Sequence, residues 1–172
     1  GNTLPSFGTQ ITYSPSSRIT FNSSTFIGTD SPNQRRLMRY FHDFYSTFKL
    51  SSKLAATIGF DIGMEQKSKG SSTFNTWFNS TAIMRYTPTT NTAIAVRGEY
   101  FDDRDSVLLS STSPNGFRTW AFSANFDWNI TKNFLWRVEA RSLINKDNIF
   151  TRQDGTITNN NTIFTTALAI NF

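Results

Sequence analysis

The chain is expected to fold as one all-β domain over residues 1–172, an antiparallel up-and-down transmembrane β-barrel, and three observations carry that expectation. Apolar and polar side chains alternate with a period of two along nine segments, the mark of strands with one oily and one wetter face. The connections between these segments are short and long by turns. Aromatic residues gather near the ends of the apolar rows.

Bulk composition agrees. Aromatic residues make up 15% of the chain, yet its mean hydropathy lies on the polar side. A barrel in lipid averages this way because each strand carries a lipid-facing row and a lumen-facing row. No run of about 18 apolar residues is present, so a membrane helix is excluded. With no cysteine, disulfide frameworks and thiolate metal sites are excluded too. The net charge of +5 makes no nucleic-acid surface, because the cations are scattered along alternating strands.

The strands are read at residues 6–13, 17–27, 38–50, 53–65, 76–87, 92–102, 118–130, 133–145 and 162–172. Most exceed the five or six residues usual in soluble sheets, and a tilted strand needs about 9–11 to cross a bilayer. In the first, Tyr13 closes the apolar row. The third sets Tyr40 and Phe48 against Arg39, Asp43 and Lys49. The fourth sets Leu54, Ile58, Phe60, Ile62 and Met64 against Thr57, Gly59, Asp61 and Glu65. The fifth has Phe78 and Tyr86 on one face and Arg85 on the other, and the sixth opposes Tyr100 to Arg97 and Glu99. In the seventh, Trp120, Phe122, Phe126 and Trp128 oppose Thr119, Ser123, Asn125 and Asp127. The eighth repeats the pattern, with Phe134, Trp136 and Val138 against Arg137, Glu139 and Arg141. A soluble sandwich also alternates, but its outer face would be rich in Lys and Glu. Here the polar rows are mostly Thr, Asn, Ser and Gly with a few opposed charges.

The ninth strand puts Phe164, Leu168, Ile170 and Phe172 in one row. A chain closing on such a row resembles the last strand of bacterial outer-membrane barrels, which the barrel-assembly machinery reads as its signal.

The turns fall at residues 14–17, 50–53, 87–91 and 130–133, and the long loops at 28–37, 66–75, 103–117 and 146–161. Outer-membrane barrels pair short periplasmic turns with longer extracellular loops, so the turns are assigned to the periplasm. Tyr13, Phe48, Tyr86, Trp128, Phe134 and Phe172 then form the membrane girdle on the turn side, and Tyr40, Phe78, Tyr100 and Trp120 the girdle on the loop side. Trp120 and Trp128 are separated along the membrane normal by about 20 Å at a tilt near 40°, close to the apolar band of about 25 Å. Nine strands are odd where bacterial single-chain barrels are even. Either the first lies outside the barrel, or strands upstream are missing and this is the C-terminal portion of a larger one; the second is expected.

The runs 39–45, 98–105 and 135–141, with Asn171 and Phe172 at the end, resemble the OmpL-like β-barrel porins of Bacteroidota outer membranes over most of the chain. The resemblance implies a Gram-negative outer-membrane porin that passes small solutes or ions. It supplies no catalytic residue and no cofactor. Read from alternation alone, the pore lining is Arg39, Asp43, Asp61, Glu65, Arg85, Arg97, Glu99, Asp127, Arg137, Glu139 and Arg141. Asp127 and Asn125 stand between the charges of the sixth and eighth strands, which predicts a cross-strand ladder. Those charges either border an aqueous passage or neutralise one another and seal a scaffold barrel.

Other chemistry is weaker. His42 and Ser46 share the lipid-facing row, recommending a comparison with an outer-membrane lipid hydrolase, but four strand residues separate them by about 13 Å, too far for a base and its nucleophile. Asp102, Asp103 and Asp105 are candidate calcium ligands, but Arg104 among them favours a salt-bridged loop base. No enzyme activity and no metal are expected. The expected partners are outer-membrane lipid, the assembly machinery, lipopolysaccharide phosphates at Arg35, Arg36, Lys67 and Lys69, and other outer-membrane proteins or surface lipoproteins on the loops 103–117 and 146–161.

Overall fold

The computed structural model describes residues 1–171; Phe172, assigned above to the girdle and the assembly signal, lies outside the described residues. The strands are β1 (Phe7–Ser16), β2 (Ile19–Gly28), β3 (Arg39–Lys49), β4 (Leu54–Gln66), β5 (Phe74–Tyr86), β6 (Thr92–Asp103), β7 (Phe117–Thr131), β8 (Phe134–Asn145), β9 (Phe150–Thr151), β10 (Ile157–Thr158) and β11 (Asn160–Ile170). All but β9 and β10 form one nine-stranded sheet in the order β1-β2-β3-β4-β5-β6-β7-β8-β11. Every neighbouring pair is antiparallel. This is the up-and-down order read from the sequence, and it is an arc of a barrel: no pairing joins β1 to β11 among the described residues.

Four Ser or Thr hydroxyls close the four short turns. The Ser16 Oγ accepts from the Arg18 amide at 3.2 Å, Ser51 Oγ from the Lys53 and Leu54 amides at 3.1 Å, Thr89 Oγ1 from the Asn91 amide at 3.2 Å, and Thr131 Oγ1 from the Asn133 amide at 3.2 Å. A hydroxyl two residues ahead of an amide substitutes for a backbone acceptor and holds the reversal. The first turn corrects the sequence reading. The sequence predicts a turn at 14–17 that includes Pro15, but β1 continues through it to Ser16, with a register shift between Tyr13 and Ser16. An edge strand tolerates proline because its missing N–H need not face a neighbour.

The long connections lie together at the other end. In residues 104–116, Gly116 takes φ +65, and a Cβ there would meet the backbone of Arg104 at 2.4 Å. Within the long loop 146–161, β9 and β10 pair as a hairpin. Asp154 and Gly155 make its bend, Gly155 at φ +84 and the Asp154 carboxylate accepting from the Thr156 amide at 3.0 Å.

The two faces of the sheet invert the usual order. On β7, Thr119, Ala121 and Asp127 are buried while Trp120 and Phe122 are about half exposed. The sheet is sheltered on its polar face and bare on its apolar one, and no second layer covers the apolar face among the described residues. Water-soluble antiparallel sheets bury the apolar face instead. Among the described residues no helix is long and apolar enough to cross a membrane.

Candidate functional site

The candidate site is the polar face, and the register fixes its composition. Asp43 on β3 stands opposite Asp61 on β4, Arg85 opposite Ala55 and Ala95, Asp127 opposite Ala93 and Arg137, and Glu139 opposite Asn125 and Thr165. Each cross-strand pair points to one side of the pleat, so Arg39, Asp43, Asp61, Glu65, Arg85, Arg97, Glu99, Asp127, Arg137, Glu139 and Arg141 share this face.

Three ion-pair groups organise it. Arg137 grips Asp127 with two bonds, Nε to Oδ1 at 2.6 Å and Nη2 to Oδ2 at 2.7 Å. Asn125 Nδ2 adds a third at 3.0 Å, and Arg85 Nη2 approaches to 4.0 Å from β5. A forked guanidinium on a carboxylate is among the stronger and more directional charge contacts. Glu99 takes Arg141 at 3.2 Å across the intervening β7 and Arg97 at 3.7 Å along its own strand. The ladder expected through Asp127 and Asn125 therefore takes another course: Asp127 joins β8 to β5, and Glu99 of β6 meets Arg141 of β8 directly, with no β7 charge between them. Arg39 binds Glu65 at 2.7 Å and Asp30 at 3.0 Å, and its guanidinium carbon sits 5.6 Å from the Trp77 ring centre.

Asp43 and Asp61 join no ion pair among the described residues. They face each other across β3 and β4, and Asn79 Nδ2 donates to Asp61 Oδ2 at 3.3 Å. Glu139 also has no ion-pair partner among the described residues. The polar face therefore carries both locked pairs and free carboxylates.

Trp77 escaped the sequence reading. It lies on the polar face, 3% exposed, over Gly63. A Cβ on Gly63 would stand 2.0 Å from Trp77 Cζ2, so glycine is required for the indole to lie flat on β4. A glycine opposite a large aromatic on one face was the available signal.

The apolar face carries the girdle residues. At the loop end Phe60, Phe78, Tyr100, Trp120 and Phe122 run in sequence across β4 to β7, with ring centres 6.2, 5.8, 4.7 and 6.1 Å apart. At the turn end Trp128 meets Trp136 at 6.4 Å and Phe21 meets Phe48 at 6.4 Å. Tyr13, Tyr86 and Phe134 lie on the same face by register. On β11, Phe164, Leu168 and Ile170 form an exposed row.

The alternative sites disperse. Asp102 is occupied by Arg104 and Arg118, both at 2.9 Å. Asp103 accepts the amides of Val107, Leu108 and Leu109 at 2.8, 2.9 and 2.9 Å, and Asp105 accepts the Thr76 amide at 3.0 Å. The three carboxylates thus turn to different partners. His42 has Thr25 and Ile62 beside it in register rather than a serine, and the Thr25 hydroxyl is bonded to that of Thr9. Ser46 is buried among Phe21 and Ile58.

At the loop rim Asp147 clamps two loops. It accepts from the Ser113 hydroxyl, the Asn115 amide at 3.2 Å and the Asn115 side chain at 3.0 Å. The Ser113 hydroxyl above all holds the Asp147 carboxyl below its usual range; desolvation opposes it, and the Asn115 hydrogen bonds and Lys146 add to the lowering. A lowered carboxyl favours the clamped state above its ordinary value of 3.8 and loses that contribution as the pH falls towards the lowered one. Protection from hydrogen exchange across 146–159, taken relative to the intrinsic rate at each pH, is accordingly expected to be high at pH 5 and to fall below about pH 4, and to be low at both in Asp147→Ala. Equal exchange in the two proteins at pH 5 refutes the clamp.

In comparisons with known proteins, the family model described as "Putative beta-barrel porin-2, OmpL-like" matches residues 1–172. No curated protein and no solved structure matched the chain.

Proposed function

The chain belongs to the OmpL-like β-barrel porin-2 family, whose place is the outer membrane, and from that membership we propose a passive, water-filled passage for small solutes and ions. One observation carries the reading: the sheltered face of the sheet holds charged and amide side chains while the bare face holds Trp, Phe, Ile and Val. A wall of that polarity separates water from lipid. In this reading the short turns face the periplasm and the long loops the exterior, lipid surrounds the aromatic girdles, and the assembly machinery engages the apolar row of β11.

The test is conductance. Protein extracted from outer membranes and added to a planar lipid bilayer is expected to give discrete current steps. A folded, inserted protein that gives none is a sealed scaffold whose ion pairs close the interior, and the porin reading then fails.

Selectivity follows from the free carboxylates. Asp43→Asn with Asp61→Asn removes an acidic pair that joins no ion pair among the described residues, and is expected to lower the cation-to-anion permeability ratio by about two- to threefold, a shift of order RT in the local potential. Reversal potentials in a salt gradient measure it; an unchanged ratio removes these residues from the conducting path.

Orientation is read by labelling. With no native cysteine, Ser110→Cys is expected to react with a membrane-impermeant maleimide on intact cells, and Ser52→Cys only after the outer membrane is opened. The opposite result inverts the assignment.

A further inference from the structure

A cleft of about 570 Å³ opens at the loop rim of β1 to β4. Its floor is Phe7, Ile27 and Met38, with Leu4 at its side, and Arg36 and Lys69 at its margin. Phe7 and Ile27 pair in register and Ile27 pairs with Tyr40, so the cleft opens on the apolar, lipid-facing side of the sheet. Tyr40 and Phe74 stack edge to face beside it, with ring centres 6.0 Å apart.

The margin is cationic and its charges are free. Arg35, Arg36, Lys67 and Lys69 join no ion pair among the described residues, while the nearby acids Asp30 and Glu65 are both held by Arg39. Gln66 stitches together the two loops that carry these cations. Its Oε1 accepts from the Met38 amide at 3.1 Å and its Nε2 donates to the Ser71 carbonyl at 2.9 Å. Arg36 is fixed by a turn in which its amide donates to the Pro32 carbonyl at 2.9 Å, and Lys69 precedes the bend at Gly70, φ +73.

An apolar slot facing lipid under a ring of unpaired cations suits one kind of ligand, an acyl chain joined to a phosphate. We propose that this cleft binds a phosphorylated glycolipid of the outer leaflet, lipopolysaccharide, with an acyl chain along Phe7, Ile27 and Met38 and a phosphate between Arg36 and Lys69. The proposal rests on the outward orientation of the long loops. Phosphate draws charge-assisted hydrogen bonds from guanidinium and ammonium groups, and basic residues near a charged membrane surface add to lipid binding individually.

The test is a titration of protein extracted from outer membranes, stripped of lipid in a nonionic detergent, with bis-phosphorylated lipid A, read by native mass spectrometry. Arg36→Gln with Lys69→Gln is expected to weaken binding about thirtyfold, and Arg18→Gln with Lys132→Gln, at the turn end, to leave it unchanged. Heat-modifiable gel migration confirms that each variant is folded, and Gln66→Ala, which leaves every charge in place, is expected to weaken binding by unstitching the loops. The proposal is overturned if dephosphorylated lipid A or phosphatidylglycerol binds equally well, if inorganic phosphate at millimolar concentration displaces the lipid, or if the turn-end variant loses as much. Conductance of the same preparations tests the channel separately, and cysteine labelling tests the orientation, so each failure is recognisable.

Discussion

Val96→Arg is expected to lower the free energy of unfolding in lipid vesicles by about 2–4 kcal/mol, the cost of a guanidinium on the lipid face of a barrel near mid-bilayer. Val96 lies near the middle of β6, 52% exposed, beside Met84 and Ala124 on the apolar face. The size of the effect discriminates between environments. On a water-exposed sheet, replacing a half-exposed valine changes stability by no more than about 0.5 kcal/mol. In lipid the same change strands a charge among Met, Ala and acyl chains. Urea titration of protein folded into vesicles, followed by tryptophan emission, measures the difference, and a near-zero value removes lipid from that face.

The second large effect is expected at Trp77 and Gly63. Trp77→Ala empties the space over β4 and is expected to cost about 3–5 kcal/mol, the range for deleting a buried aromatic. Gly63→Leu alone drives a side chain into the indole, whose nearest atom is 2.0 Å from the new Cβ, and is expected to cost about 1–3 kcal/mol. Together the two changes exchange a large and a small residue across one cross-strand pair. The double variant is therefore expected to be more stable than Trp77→Ala alone, with a coupling of at least about 1 kcal/mol in the same titration. Strict additivity shows that the indole does not rest on Gly63.

The strands were legible in the sequence because a period of two is imposed by the pleat itself, whatever the solvent on each side. Leu54 to Met64 on β4 and Trp120 to Trp128 on β7 kept their faces without exception. Turn-forming residues were poorer guides than strand pairing. Pro15 reads as a turn, yet β1 carries it to Ser16 across a register shift in its pairing with β2. Asp154 and Gly155 are a hairpin signal, but with only Phe150–Thr151 and Ile157–Thr158 flanking them no alternation was long enough to read. Individual ion pairs were less legible than their row. Alternation put Arg141 and Glu99 on one face, but their meeting across β7 depends on a side chain long enough to span a strand, which only the register reveals. Asp30 as a partner of Arg39 was invisible, since it comes from a loop. The lipid cleft was half legible: four cations in two loops could be counted, whereas the apolar floor beneath them required the fold.

The placement of the four tryptophans has an optical consequence. Trp120, Trp128 and Trp136 sit on the apolar face and Trp77 alone on the polar one. Brominated acyl chains quench indole only at close range, so bromines set at graded depths are expected to quench Trp120 and Trp128 at opposite shallow levels. Trp77 stays bright behind the wall. Single-tryptophan variants made by Trp→Phe would then turn the chain's own chromophores into markers of both leaflets, reporting on insertion and on the thickness of the host bilayer without an added label.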